Sequence, residues 1–150
     1  MDLPWGSVES KSFVTPVGLI TSKGDKGDNI MAAESTHHLS YSPGIISVSI
    51  GNNKTTANNI SATKFFGVSL ASENQQTLVS FAGGHSGDKI DKIAALKEIG
   101  FGFTRGKETG VYLVDGAVLQ AECKLVNHIV TGWRPHSVHW RSCFCQVCRR

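Results

Sequence analysis

The alternation of apolar and polar positions predicts a chain of short strands with few helices. Residues 14–22 are largely branched or apolar and are entered through Pro16, which reads as a strand. The polar stretch Lys23-Gly24-Asp25-Lys26-Gly27-Asp28 then turns the chain, so residues 29–33 form the return strand of a hairpin. Tyr41-Ser42-Pro43-Gly44 reads as a turn. Over residues 45–50, Ile46, Val48 and Ile50 alternate with Ser47 and Ser49, the period of a half-buried strand. Residues 57–63 are predicted as a short helix with a hydroxyl N-cap from Thr55-Thr56. Residues 65–70 read as a strand and 75–82 as a short helix, followed by a flexible Gly83-Gly84-His85-Ser86-Gly87 loop. Asp88 is the expected cap of a helix carrying Ile90, Ile93, Ala94 and Leu96, with Gly100 just past its end. Residues 111–114 form a strand and Asp115-Gly116 a turn. Over residues 117–127, Ala117, Leu119, Ala121, Cys123 and Leu125 share one face, while Val118, Gln120, Glu122, Lys124 and Val126 share the other. That pattern predicts a long, half-buried antiparallel strand.

Six or seven strands against two or three short helices weigh against a doubly wound parallel sheet, which needs regular strand–helix alternation. A mostly antiparallel barrel with peripheral helices fits better, and no internal repeat is present. The length of 150 residues suits one domain. No apolar run approaches the roughly 20 residues of a membrane helix. The start, Met1-Asp2-Leu3-Pro4-Trp5, lacks the basic and apolar regions of a signal peptide, so a cytoplasmic protein is expected.

Charge changes this picture only at the end of the chain. Residues 1–132 hold ten Lys and one Arg against twelve acids, a net −1, while residues 133–150 hold four Arg and no acid, a net +4. The same tail holds Cys143, Cys145 and Cys148, and also Trp133 and Trp140.

Candidate chemistry is sparse. The chain has no phosphate-binding loop, dinucleotide fingerprint or nucleophile elbow, so no catalytic residue is assigned from motifs. The adjacent pair His37-His38 reads as surface, and Cys123 reads as a small buried hydrophobe. Asp88, Asp91 and Glu34 form no carboxylate pair. One constellation stands out. The run Ser47-Val48-Ser49-Ile50-Gly51-Asn52-Asn53-Lys54-Thr55-Thr56 joins strand hydroxyls, turn amides, a lysine and a helix start. These are the donors that a phosphate monoester needs at one point, although an ordinary capped helix after a turn has the same pattern.

A wider set of motifs weighs in favour of the phosphate. Pro16-Val17-Gly18-Leu19-Ile20-Thr21, Asn29-Ile30-Met31-Ala32-Ala33-Glu34, Ser40-Tyr41-Ser42-Pro43 and residues 46–50 occur in that order. Asn53-Lys54-Thr55-Thr56, Asn59-Ile60, residues 81–87, Asp91-Lys92 and Ala121-Glu122-Cys123 follow. The ordered set, spanning about residues 13–132, resembles the flavin reductase-like family of FMN-binding split-barrel proteins. That family includes flavoredoxins and the reductase partners of two-component monooxygenases. The resemblance implies a Greek-key antiparallel barrel and a homodimer with FMN near the subunit interface. It also implies hydride transfer from NAD(P)H to flavin, and on to free flavin or to a protein acceptor such as a monooxygenase. Asn29, Met31, Ala32, Ala33 and Ser35 would line the ring and ribityl chain, together with Ser47, Val48 and Ser49. Asn53, Lys54, Thr55 and Thr56 would take the phosphate, and Lys92 would stand near the cofactor. Ser35 stands where many relatives have an aromatic residue. A carrier that holds FMN without turnover is the alternative reading.

The tail departs from the family. Relatives continue with Gly-Asp-His and a strand ending in Gly-Glu-Val, whereas this chain reads Gly132-Trp133-Arg134-Pro135-His136. Dropping the first base of the Trp133 codon gives a frame that permits Gly-Asp-His-Thr-Leu-Phe-Ile-Gly-Glu-Val. Residues 133–150 are therefore read as an out-of-frame segment and residues 1–132 as the flavin domain, with the last strand or strands of the barrel missing. The rival readings are a surface tail without a site, and a metal site of His139, Cys143, Cys145 and Cys148. In the first reading the excess positive charge gives no support to a nucleic-acid or membrane partner.

Overall fold

The computed structural model describes residues 15–25, 27–131 and 140–148. Nine strands are found among them. They are β1 (Gly18–Ser22), β2 (Asn29–Ala33), β3 (Thr36–Tyr41), β4 (Gly44–Gly51), β5 (Phe65–Leu70), β6 (Phe103–Arg105), β7 (Tyr112–Val114), β8 (Leu119–Thr131) and β9 (Trp140–Val147). Helix α1 (Thr55–Thr63) joins β4 to β5, and α2 (Gln76–Gly84) and α3 (Lys92–Glu98) lie between β5 and β6. Seven strands form one antiparallel sheet in the order β2-β1-β5-β8-β9-β4-β3, and β6 and β7 form a separate hairpin. The fold is the curled antiparallel half-barrel with short helices that the strand pattern implied.

The sheet is buried on both faces where β1 lies, which explains why its sequence is continuously apolar rather than alternating. Ile20, Val48, Ile50, Ile60, Phe66, Val68 and Cys123 form the inner core, against which α1 lays Ala57 and Ile60. Leu19 and Ile30 face the other way, onto Leu78, Ala82, Ile93 and Leu96 of α2 and α3. Full burial of a side chain such as Phe66 contributes about 2–3 kcal/mol. At Gly67 an added Cβ would stand 2.6 Å from the Tyr112 carbonyl oxygen, so only glycine lets β7 approach β5 there.

Several elements depart from the sequence pattern. The first strand starts at Gly18. Strand β3 was not expected: Thr-His-His-Leu-Ser-Tyr has no apolar alternation, because it is a sheet edge with His37, His38, Leu39 and Tyr41 exposed. The turn shrinks to Ser42-Pro43, joined by a cis peptide bond. The expected hydroxyl cap of α1 is absent, since the helix begins at Thr55 and its N-cap is Lys54, whose side chain makes no capping bond. Helix α3 is capped by Asp91 rather than Asp88, with Asp91 Oδ1 accepting from Ala94 N at 3.0 Å. Strand β6 was missed because it is only three residues long, and β8 runs to Thr131.

The sheet position expected to be vacant is filled. Strand β9 pairs with β8 on one side and β4 on the other, and Cys143 and Cys145 enter the inner core. Their small apolar side chains suit a strand between two hydrophobic neighbours. His136 lies outside the described residues.

Glu122 sits on the face of β8 predicted to be polar, yet it is buried. The turn at residues 107–110 covers it. Its carboxylate accepts from Thr109 N at 2.6 Å, Thr109 Oγ1 at 2.7 Å and Glu108 N at 3.0 Å. Burial pushes its pKa up, but the bonds from Thr109 and Glu108 outweigh burial and the net direction is down. The ionised form is therefore stabilising above the usual carboxylate range, and this contribution is lost as pH falls through the lowered folded value. Glu122→Gln is expected to cost about 2 kcal/mol at neutral pH, with the gap to wild type closing in acid. Urea unfolding of both proteins at neutral pH and at about pH 3 checks this; an equal gap at both would contradict it.

Candidate functional site

A cleft of about 990 Å3 opens where the end of β2, the turn from β4 into α1, and the α2–α3 loop meet. Each wall has a local cause. Asn29 begins β2 and is buried, and its Nδ2 donates to Thr56 Oγ1 at 2.8 Å. Residue 87 packs directly on Asn29; a Cβ there would collide with the amide, so the position needs glycine. Met31, Ala32 and Ala33 continue β2 along the apolar wall.

The polar end is built by α1. Lys54 N donates to Gly51 O at 3.1 Å, and the helix starts one residue later. The first bond into the helix is Asn58 N to Lys54 O at 3.2 Å, and the N-cap Lys54 makes no side-chain capping bond to the amides before it. First-turn amides point out of a helix end and carry its positive dipole. The Thr55 hydroxyl and Lys54 join them at this end of the cleft. Thr55 Oγ1 donates to Asp88 Oδ1 at 2.5 Å, so a carboxylate from the α2–α3 loop stands there too.

Lys92 opens α3 and is only 2% exposed. Its Nζ donates to Ala82 O at 3.0 Å and His85 O at 3.2 Å. Burial lowers its pKa to about 8, and the positive charge of Lys54 pushes the same way. The two carbonyls can be served by the ammonium or by the neutral amine. His85 ends α2 with its Nδ1 3.1 Å from Phe81 O and its ring stacked on Phe81 at 4.3 Å between centroids. A carbonyl only accepts, so Nδ1 carries the proton. Opposite, Ser49 N donates to Ser35 O at 3.0 Å, and Ser49 Oγ lies 3.3 Å from Ser142 Oγ.

Of the residues singled out from the sequence, Asn29, Met31, Ala32, Ala33, Ser35, Ser49, Asn53, Lys54, Thr55, Thr56 and Lys92 line this one cleft. Ser47 and Val48 do not. Ser47 lies two residues farther along β4, opposite Phe144, and Val48 points into the core because neighbouring strand residues face opposite ways. The sequence reading missed Val79, Ala82, Gly83, His85 and Asp88 as lining residues. Residues 81–87 carried a signal as one of the ordered motifs but were given no site role, Asp88 was read as a helix cap, and Val79 gave no signal beyond a short helix. Ser142 gave no signal, since it lies in the anomalous tail. For the metal reading, Cys143 and Cys145 are buried in the core, and His139 lies outside the described residues. No group of three or more His, Cys, Asp or Glu side chains is placed to hold a metal among the described residues.

The arrangement suits an elongated ligand with an anionic end at α1, hydroxyls along its middle and a flat part against Met31 and the alanines. A family model described as "Flavin reductase like domain" matches residues 10–140. No curated protein matches the chain. Among solved structures, the NADH:FAD oxidoreductase SgcE6 of Streptomyces globisporus superposes with a TM-score of 0.80 at 22% identity, over 99% of this chain and 84% of that one. An FMN-binding protein from Thermus thermophilus gives 0.79 at 22% identity over 99% and 76%. The flavoredoxin of Desulfovibrio vulgaris gives 0.78 at 23% identity over 99% and 75%. These likenesses show a shared fold, and with a family match spanning most of its length the chain belongs to the flavin reductase-like family of flavin oxidoreductases.

Proposed function

We propose that the cleft binds FMN and that the protein passes reducing equivalents from NAD(P)H to free flavin or to a redox protein such as a monooxygenase. The observation that carries this reading is the convergence of β2, the α1 start and Lys92 on a single cleft with an amide-rich end that holds Lys54 and Thr55. The phosphate would meet the first-turn amides of α1, Lys54, Thr55 and Thr56. Asn53 completes the turn before them. Asn29 would hold Thr56 in place through its amide. Met31, Ala32 and Ala33 would pack on the ring, and Ser35 and Ser49 would offer hydroxyls. Ser47 and Val48 would act through the position of β4 rather than by touching the ligand. Lys92 would place its charge near the cofactor. Bound FMN supplies the hydride and electron chemistry, while the residues bind, orient and exclude water.

The same family membership supports a cytoplasmic homodimer with the site near the interface. Strand β8 leaves β5 after Lys124, and beyond that point Val126, Ile129 and Val130 are each about half exposed. Such a strip, beside a strand edge with no partner among the described residues, is a surface for a second copy of the chain.

A carrier without turnover is the second reading. It is favoured by Gly132-Trp133-Arg134-Pro135-His136 standing where relatives have Gly-Asp-His. The proposal that residues 133–150 are read out of frame is tested by resequencing the gene across codons 130–150.

The purified protein is expected to be yellow or to take up added FMN; a colourless protein that ignores FMN would sink the proposal. NAD(P)H oxidation with free FMN separates the enzyme from the carrier. The Lys92 charge is present below about pH 8 and lost above it. FMN affinity should therefore weaken as pH rises through about 8, and Lys92→Met should lose that dependence in fluorescence titrations. Size-exclusion chromatography is expected to show a dimer, and Ile129→Asp a monomer; an unchanged elution volume would exclude this strip from the interface.

A further inference from the structure

Asp88 is an acid placed where the proposed ligand is most negative. Its Oδ1 accepts the Thr55 hydroxyl proton at 2.5 Å, and both side chains line the cleft. Thr55 is the first residue of α1, and the N-cap Lys54 makes no side-chain capping bond to that helix. A carboxylate is favoured at a helix N-terminus for the same reason as a phosphate. The Thr55 hydroxyl has one proton, so it serves one acceptor at a time. The loop that carries Asp88 is also anchored: Lys92 Nζ holds its base at Ala82 O and His85 O, and Gly87 packs on Asn29. The carboxylate is thus delivered to the α1 end by a braced loop.

We propose that Asp88 is a specificity-determining residue that occupies the anion position of the cleft and competes with the phosphate of an incoming flavin. The inference rests on the flavin reading above and deepens it. A flavin phosphate must take the Thr55 hydroxyl from Asp88 and bear the repulsion of its carboxylate. Riboflavin, which lacks the phosphate, meets neither cost. The consequence is a flavin that is held loosely at its phosphate end and exchanges, as a diffusible substrate does, rather than a resident prosthetic group.

The test compares binding of FMN and riboflavin by fluorescence titration in wild type and Asp88→Asn. Asparagine keeps an acceptor for Thr55 but removes the charge, and position 88 is exposed, so the variant should fold. FMN is expected to bind about tenfold more tightly to the variant, with riboflavin within about twofold of wild type. Asp88→Ala, which removes both the acceptor and the charge, should shift FMN in the same direction. Unchanged FMN affinity in Asp88→Asn, or an equal shift of both flavins, overturns the role of Asp88 while leaving the flavin site intact. Failure of wild type to bind either flavin overturns the flavin reading and this inference with it.

Discussion

The buried hydrogen bond from Asn29 to Thr56 is the tie on which the cleft depends. It joins the first residue of β2 to the first turn of α1, two elements with no backbone ladder between them. A buried amide without a partner costs about 1–3 kcal/mol, so this bond is strongly selected once both groups leave water. Gly87 then rests on the same Asn29 side chain, which brings the α2–α3 loop to the opposite wall. One side chain thereby sets the distance between sheet, helix start and loop. The ligand is asked only to fit a gap whose width is already fixed.

Electrostatics refine that gap. Lys54 and Lys92 bring positive charge to it, and burial of Lys92 is tolerated because its ammonium donates to two carbonyl oxygens. Those bonds also fix the backbone at the end of α2, where the Phe81–His85 stack sits. The lysine is therefore structural and electrostatic at once. Glu34 and Asp88 bring negative charge to the same cleft and keep it from being a general anion sink. The buried Glu122 on β8 follows the opposite logic, since amides and a hydroxyl rather than cations hold its charge.

Much of this was legible in the sequence where one force acts alone. Residues 29–33 and 65–70 read as strands and were found with those bounds, because apolar runs between turn residues leave little choice. The α1 start and Lys92 were legible through an ordered set of short motifs. The edge strand β3 was not, since an exposed edge leaves no apolar signature. Asp88 read as a helix cap because the sequence shows an acid before an apolar repeat; the fold gives that role to Asp91 and sends Asp88 to Thr55. Ser142 and the place of β9 were hidden by the tail's composition, which says nothing of which strands lie on either side of it.

The position of β9 sets the order in which the molecule can assemble. The sheet order places it between β8 and β4. Without it the strands form two separate ribbons, β2-β1-β5-β8 and β4-β3. The β4 ladder thus waits for partners on the order of a hundred residues later in the chain, a separation that slows folding. During synthesis, Ile46, Val48 and Ile50 have no lasting strand neighbour on that side until residues 140–147 emerge. A nascent chain thus carries the open β4 edge, a ready template for wrong pairing, until β9 is available to cover it.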